Sequence, residues 1–379
     1  MFLQHILFRI VGLLPWTMNQ SFNVLVNHNN SDKLCRLSFL GLGYSFLLFS
    51  VIIILSVYKL IESPSVQIQA DSMLTATLTT KLEFITQLGV LLIPIIFICR
   101  QTLMTSVINR LADVDERLKR CPGYAIESNL TAVIVFVVHL VLISRVGILI
   151  GQYHLPLVLI RFSPGIIASW SVTQFSTLLI LITKRIKRIN TALVKLGGNI
   201  RNNQAQSRSL SILCELMVHE IKNLKNGFVE LFEVCEDIKD FYGLPVLIVI
   251  IYYGLQGILV SYFAISSMIQ GQSHTTTMHL LNGMRLLLTA FVFTVLTSSV
   301  TSTVRESLKT ANIVHLLIDR YPMDQKIQDY LLKFSHHLVH LKFNFTACDI
   351  VPLNRSFLAV IVGTIATYLI IIFQFRISA

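Results

Sequence analysis

The stretch TYLIIIFQF, residues 367–375, lies near the C-terminal end of the chain inside a long hydrophobic run. On a helix, Thr367 and Gln374 are seven residues apart and therefore share one face. Gly363 and Ile371 lie on the same face, which becomes a narrow stripe of small and polar groups on an apolar helix. In a membrane, such a stripe needs a partner helix or a water-filled path.

The composition of the whole chain is that of a membrane protein. Hydrophobic residues make up 54% and charged residues 13% of its 379 positions, and the mean hydropathy is +0.68. Soluble domains carry about 25% charged residues. Seven stretches are long and apolar enough to cross a bilayer, which predicts an all-α protein with spans at about 37–58, 82–99, 130–151, 164–182, 244–268, 280–301 and 355–375.

The distribution of positive charge predicts the orientation of these spans. If the N-terminus is cytosolic, the cytosolic segments hold 24 Lys and Arg residues, whereas the opposite side holds only Lys59, Lys81, Arg161 and Arg376. Lys and Arg accumulate on the cytoplasmic side, so we expect a cytosolic N-terminus and an extracellular C-terminus. All six cysteines then face the cytosol or its membrane edge, and no disulfide is expected. The same bias accounts for the net charge of +11 without nucleic-acid binding.

The segments outside the predicted spans carry helical periodicity. Residues 2–16 favour a helix in the inner membrane interface rather than a cleaved signal peptide, because Arg9 interrupts the apolar run. Residues 197–209 are rich in Gly, Asn, Gln and Arg and indicate a mobile loop. Two apolar seams predict a packed cytosolic helical bundle, the first formed by Leu210, Leu213, Met217, Ile221, Leu224, Phe228, Leu231, Cys235 and Ile238, the second by Ile327, Leu331, Phe334, Leu338 and Leu341.

These observations predict a domain organisation in four parts. Residues 1–36 form a cytosolic segment with the interfacial helix, and residues 37–301 form the first six spans with cytosolic extensions at about 184–243. Residues 302–354 form the remaining helices of the cytosolic anchor, and residues 355–379 form the seventh helix with a short extracellular C-terminus.

The TYLIIIFQF pattern resembles the signature at the end of the last transmembrane helix of the insect gustatory receptor family, which is related to the insect odorant receptors. The upstream segments FTAC, residues 345–348, and PLNRS, residues 352–356, resemble the stretch that precedes the same helix. The resemblance implies a seven-helix, ligand-gated cation channel with inverted topology, assembled as a homotetramer or heterotetramer in the plasma membrane of chemosensory neurons. Sugar receptors of the family typically have Glu directly after the Thr-Tyr pair, whereas this chain has Leu369, so the resemblance favours bitter or other non-sugar tastants.

The same resemblance implies a conduction path along the seventh helix. The constriction would lie at Gln374 and Phe375, and Thr367, Tyr368 and Ile371 would line the helix below it. A ring of four amides replaces part of an ion's hydration shell but discriminates weakly between cations. In the alternative interpretation, Gln374 hydrogen-bonds a neighbouring helix and lines no pore.

A small-molecule site is expected in the outer halves of the spans, where aromatic surface and directed polar groups coincide. Arg145 and Arg285 stand out because an intramembrane cation needs a partner or a wet cavity, although both are close enough to a helix end to snorkel to the outer interface. For Tyr252 and Tyr253, packing between helices is the stronger alternative. The full set of candidates is Ser144, Arg145, Trp170, Gln174, Tyr252, Tyr253, Gln256, Tyr262, Asn282, Arg285 and Thr289.

No motif indicates an enzyme, a cofactor or a structural metal. His219 and Glu220 begin a zinc-protease-like string, but Asn223 stands where the second His is required. His336 and His340 are spaced for a metal pair without an evident third ligand. Two other membrane classes fit the sequence less well: a G-protein-coupled receptor, whose usual Asp-Arg-Tyr and Asn-Pro signals are missing, and a secondary transporter, whose internal repeat is not found. A receptor for sweet or other ligands that works only in a heteromer is the alternative within the resembling family.

Overall fold

The computed structural model describes residues 16–18, 35–37, 41, 43–47, 50, 51, 54, 70–119, 130–151, 155–203, 210–269, 276–320 and 325–378. Helices dominate this part of the chain, which confirms the all-α prediction. In chain order the elements are β1 (Trp16–Met18), β2 (Cys35–Leu37), α1 (Ala70–Cys99), α2 (Gln101–Lys119), α3 (Leu130–Gly151), α4 (Leu155–Asn203), α5 (Leu210–Ile269), α6 (Thr276–Arg320), α7 (Gln325–His340), β3 (Thr346–Ala347), β4 (Val351–Pro352) and α8 (Arg355–Ser378).

The apolar helices coincide with six of the predicted spans. Among the described residues, five helices are individually long and apolar enough to cross a membrane: Leu130–Ile150, Ser163–Gly198, Glu215–Ile265, His279–Asp319 and Arg355–Ile372. A sixth span is possible if α1 and α2, which meet at a bend of 63°, are counted together. Only a few positions of the predicted first span, 37–58, are described, and the predicted interfacial helix at 2–16 lies outside the described residues except for Trp16, the first residue of β1.

Helices α4, α5 and α6 continue without interruption from the apolar spans into polar sequence. They contain 49, 60 and 45 residues, far more than the roughly 20 that cross a bilayer. The predicted loop at 197–209 is therefore wrong over its first part, because α4 remains helical through Asn203. The glycines in this stretch do not end the helix, since Leu193 and Leu196 are buried and hold the preceding turn against the bundle.

Both predicted cytosolic seams are buried at their described positions, except that Leu341 at the end of the second is half-buried. The described side chains of the first seam, from Met217 to Ile238, are buried, and Ile327, Leu331, Phe334 and Leu338 of the second are buried with them. Phe228 of α5 and Phe334 of α7 meet edge to face, with ring centroids 6.1 Å apart. The two seams thus form one core with α2, which confirms the packed helical bundle.

Ion pairs join the polar surfaces of α2, α4 and α5. Arg110 of α2 lies 2.8 Å from Asp237 and 2.5 Å from Glu233 of α5. Arg185 of α4 binds Asp115 of α2 through two hydrogen bonds, of 3.0 and 2.5 Å. Bidentate pairing of this kind fixes geometry as well as charge, so α2 is clamped between its two neighbours.

A short hairpin connects α7 to α8 and was not predicted. Strand β3 pairs with β4 in antiparallel register, with Thr346 opposite Pro352 and Ala347 opposite Val351. The turn places Cys348 and Asp349 at φ values of 53° and 56°, a left-handed conformation that is uncommon for residues with a Cβ. The Thr346 hydroxyl donates to Asp349 Oδ1 over 2.8 Å, which stabilises this turn.

Candidate ligand site and pore helix

His139 is the most deeply buried ionisable side chain among the apolar helices. It lies midway along α3 with no exposed surface. Its ring packs edge-on against Trp170 of α4, with centroids 5.0 Å apart, and parallel to Phe291 of α6, with centroids 6.0 Å apart. Phe136, one turn earlier on α3, contacts the same Trp170 ring at 5.6 Å. Three helices thus build an aromatic enclosure around one imidazole.

A row of polar atoms follows Trp170 along α4. Ser163, Trp170, Gln174 and Thr177 recur at helical spacing and therefore share a face of α4. Within the described part of the chain, the Ser163 hydroxyl, Gln174 Oε1 and the Thr177 hydroxyl are buried without a hydrogen-bond partner, and so are both ring nitrogens of His139. We call His139, Trp170, Gln174 and Phe291 the His139 site.

Unpartnered polar atoms at this depth are groups that a buried water or a bound molecule would satisfy. Leaving one buried donor or acceptor unsatisfied costs roughly 1–3 kcal/mol. Buried water or a bound molecule removes that cost. Chemically, the site offers aromatic walls, one imidazole and one amide oxygen, and it contains no charged pair. Aromatic walls with a few directed polar groups are suited to binding a small molecule.

Two of the residues predicted to bind ligand, Trp170 and Gln174, are members of the His139 site. The others are distributed around it. Arg145 and Ser144, on the C-terminal half of α3, are exposed, and the Ser144 hydroxyl donates to the carbonyl of Leu140 in its own helix. Gln256, Tyr262, Asn282, Arg285 and Thr289 are half-buried on α5 and α6. The Thr289 hydroxyl donates to the carbonyl of Arg285, one turn earlier.

Tyr252 and Tyr253 pack between helices, as the alternative interpretation predicted. The Tyr253 hydroxyl donates to the Gly165 carbonyl of α4 over 3.0 Å. A Cβ at Gly165 would lie 3.4 Å from the Tyr252 hydroxyl, so the glycine allows α4 and α5 to approach closely here. The two tyrosine rings also contact each other, with centroids 5.1 Å apart. Both side chains are buried and lie at most 6% exposed.

Helix α8 packs through one face and leaves the stripe of Gly363, Thr367, Ile371 and Gln374 uncovered. Phe357 at its start contacts Phe293 of α6 at 6.1 Å, and Ile365 lies 3.1 Å from where a Cβ would stand at Gly257 of α5. On the opposite face, the four stripe residues are exposed. Only 6% of the apolar span of α8 is buried within the chain. Tyr368 is 52% exposed, and the side chain of Phe375 lies outside the described residues.

Helix α6 connects the two regions. Its Phe291 belongs to the His139 site, whereas Phe293, two residues later, contacts both Tyr253 of α5 and Phe357 of α8. A rotation or shift of α6 would therefore move a wall of the His139 site together with the start of α8. Such continuity is a physical path for coupling, although contact alone does not measure coupling.

His139 was not among the residues predicted to bind ligand. It is the only ionisable residue in the centre of the span at 130–151, and an intramembrane ionisable residue is by default a candidate functional group. That signal was available in the sequence. What the sequence did not show is that Trp170 and Phe291, on two other helices, enclose it.

The histidine pair on α7 is present, and no third ligand joins it in the part of the chain that the structure describes. The His336 and His340 rings lie 5.1 Å apart on the exposed surface. The nearby His337 has its pKa lowered by Lys225 of α5 above all. Among the described residues, no group of three or more His, Cys, Asp or Glu is arranged to hold a metal ion.

Comparison with known sequences identifies relatives. Residues 2–379 match the family model described as 7tm Chemosensory receptor. In Drosophila melanogaster, the protein named "Putative gustatory receptor 28b" is 39% identical over 72 residues, which cover 19% of this chain and 15% of that protein. The "Gustatory receptor for sugar taste 43a" is 25% identical over 194 residues, covering 50% of this chain and 42% of that protein. The chain thus spans less than half the length of these curated relatives.

Comparison with solved structures identifies the fold. The insect olfactory receptor OR5 from Machilis hrabei matches with a TM-score of 0.65 and 13% sequence identity, covering 98% of this chain and 97% of that chain. The same receptor in complex with eugenol matches with a TM-score of 0.66. The fold is therefore shared over 98% of this chain despite low sequence identity.

Proposed function

Because the chain belongs to the 7tm chemosensory receptor family, we propose that it is a chemoreceptor channel opened by a small molecule. In this proposal the ligand enters the His139 site from outside the cell, and cations pass along α8. The protein acts in the plasma membrane of chemosensory neurons as a homotetramer or a heterotetramer with related receptors. The orientation places the N-terminus in the cytosol, as the distribution of Lys and Arg indicates.

The observation that carries the channel proposal is the uncovered stripe of α8. In lipid, the hydroxyl of Thr367 and the amide of Gln374 would meet no solvent, and polar side chains in such positions face a bundle interior or a water-filled path. Thr367 satisfies its own hydroxyl by donating to the Gly363 carbonyl over 2.9 Å. The side chain of Gln374 is exposed as well, and it would face ions once copies of α8 come together.

The proposed mechanism follows the contacts of α6. A ligand that binds the open arrangement more tightly than the closed one shifts the equilibrium between them by that difference in affinity. Phe291 senses the ligand, and Phe293 moves with it on the same helix. Phe293 then transmits the shift to Phe357 and so to α8, whose outer end carries Gln374 and Phe375.

The ligand is proposed to be a bitter or other non-sugar compound, since Leu369 replaces the Glu that is typical of sugar receptors in the resembling family. A sugar ligand is the second candidate, because one relative is named for sugar taste. A current screen that includes sugars beside bitter compounds separates the two. A response carried only by G-protein signalling would instead support a receptor that is not a channel.

Charge substitutions at Gln374 test the pore assignment. In whole-cell recordings from cells that express the chain, we expect Gln374→Glu to raise the permeability to Ca²⁺ relative to Na⁺, by roughly twofold or more, because a ring of carboxylates attracts divalent cations. Gln374→Arg should reduce cation current for the opposite reason. Surface labelling confirms that each variant reaches the membrane.

The matched control is Gln328→Glu, which makes the same chemical change at an exposed position of α7 outside the spans. We expect it to leave the reversal potential unchanged. Ligand-evoked currents whose ion selectivity is the same in wild type and in both Gln374 variants would contradict a pore along this face of α8.

A further inference from the structure

The His139 site has a hydrogen-bonding capacity that the chain itself leaves unused. A neutral imidazole has one N–H donor and one acceptor nitrogen. Gln174 adds an acceptor, since its Oε1 is buried without a partner among the described residues. Gln174 lies one turn beyond Trp170 on the same face of α4, and Trp170 touches His139. One set of unused groups thus belongs to a ring that contacts Trp170, and the other lies one turn from Trp170 along α4.

The surroundings of His139 exclude a charged partner. His139 has no exposed surface and makes no hydrogen bond within the described part of the chain. A protonated imidazole without a carboxylate would carry the full cost of a buried charge, so the imidazole is neutral. A charged ligand would meet the same cost, because the site offers no opposite charge.

The walls of the site favour a flat ligand. Trp170 stands edge-on to the imidazole at 70°, and Phe291 lies nearly parallel to it at 9°. Aromatic rings attract other rings in stacked and edge-to-face arrangements. A sugar, by contrast, presents hydroxyl groups around its whole perimeter, and aromatic walls would leave most of them without partners.

We infer that the His139 site selects a neutral, planar ligand that carries an O–H or N–H donor, and that His139 and Gln174 accept the hydrogen bond that defines this class. The inference rests on the proposed function for the ligand's effect on current, but its binding step stands on the geometry alone. His139 is thereby assigned as a specificity-determining residue.

Trp170 provides a direct assay for this inference. The chain contains two tryptophans, Trp16 and Trp170, so a Trp16→Phe background leaves Trp170 as the sole tryptophan. In the purified full-length protein, a ring that enters the site changes the Trp170 emission, and titration gives a Kd without any measurement of current. The probes are 4-ethylphenol and its methyl ether 4-ethylanisole, which share the ring and differ in the donor.

We expect the phenol to bind about tenfold more tightly than the ether, the ratio that one net hydrogen bond of about 1.4 kcal/mol provides. His139→Phe keeps an aromatic ring and removes both nitrogens. In this variant the ratio of the Kd of the ether to that of the phenol should fall towards one, while the ether still binds. Gln174→Leu should lower the ratio as well and provides a second variant if His139→Phe does not fold. His279→Phe, which alters an exposed histidine of α6, is the matched control and should keep the ratio.

Three results would overturn the inference: an ether that binds the wild type as tightly as the phenol, a ratio that survives both His139→Phe and Gln174→Leu, or no change in Trp170 emission with either probe up to its solubility. Failure of the proposed function is distinguishable. If the ratio of the ether and phenol dissociation constants changes as expected in the variants but no ligand evokes a current, the channel proposal fails and the assignment of His139 stands.

Discussion

At the scale of single residues, Tyr253 and His139 show two outcomes for a polar side chain buried among apolar helices. The Tyr253 hydroxyl has a partner inside the chain, the Gly165 carbonyl of the neighbouring helix. His139 has none among the described residues. A buried polar group that has a hydrogen-bond partner inside the protein contributes to stability, whereas one without such a partner is available to a bound molecule. Tyr253 is therefore structural, and His139 is the better candidate for recognition.

Removing the Tyr253 hydroxyl tests the structural role. We expect Tyr253→Phe to lower the free energy of unfolding by about 1 kcal/mol, because the hydrogen bond is lost and the Gly165 carbonyl stays buried without it. Thermal unfolding of the purified protein in detergent measures the change. Tyr368→Phe, at a position that is 52% exposed on α8, is the matched control and should leave the midpoint within error. Equal thermal unfolding midpoints for the wild type, Tyr253→Phe and Tyr368→Phe would show that the Tyr253 hydrogen bond adds nothing to stability.

At the scale of helices, polar contacts fix the pairing of α4 with α6. Asn190 of α4 is buried, and its Nδ2 donates to the Glu306 carbonyl over 3.0 Å. Its Oδ1 accepts from the Thr310 hydroxyl over 2.7 Å. Nearer the membrane, the hydroxyls of Thr183 and Thr303 lie 2.8 Å apart. These contacts set the register of two helices whose apolar surfaces alone would allow them to slide.

Asn190→Ala should weaken the contact that holds α4 and α6 in this register. It removes two hydrogen bonds between helices and leaves a small cavity, so we expect a loss of about 1–3 kcal/mol in the free energy of unfolding. The neighbouring Thr191→Ala is the control, because Thr191 is exposed and bonds only to the Lys187 carbonyl of its own helix. Its effect should be below about 0.5 kcal/mol. Denaturant or thermal unfolding compares the pair, and similar losses for both variants would refute the role assigned to Asn190.

The sequence predicted these helices and their buried faces but not every connection between them. Periodic apolar residues such as Ile221, Leu224 and Phe228 predict a buried seam because helix geometry alone aligns them. The β3–β4 hairpin was missed, since Cys348 and Asp349 give little sign of a left-handed turn that tertiary contacts enforce. The His139 site was found only in part, because its walls come from three helices that are distant in sequence.

At the scale of the whole molecule, the orientation in the membrane remains a prediction from charge. The structure provides a chemical test, because Cys99 and Cys348 are exposed and Cys235 is buried. Burial above all raises the pKa of the Cys235 thiol well above its ordinary value, with a further contribution from Glu236. The reactive species is the thiolate, so Cys235 should resist alkylation at pH values where exposed thiols react.

We therefore expect a membrane-impermeant maleimide to label Cys348 in permeabilised cells and to leave it unlabelled in intact cells. Peptide mapping by mass spectrometry distinguishes the sites, and Cys235 should react only after denaturation. A Ser273→Cys variant, in the connection between α5 and α6, is predicted to face outward and should react in intact cells. Labelling of Cys348 without permeabilisation would reverse the orientation and, with it, the assignment of the outer end of α8.

The length of α5 has a mechanical consequence. At 1.5 Å per residue, its 60 residues extend about 90 Å, and the part that precedes the span accounts for about 50 Å. A tilt of about 5° at the membrane would displace the far end by about 4 Å. Pro245, at the junction of the two parts, removes one backbone hydrogen bond and so supplies a natural pivot. The helix thus acts as a lever that enlarges a small movement in the bilayer. A distance measured between two probes at its cytosolic end would reveal a tilt that is too small to detect near the ligand.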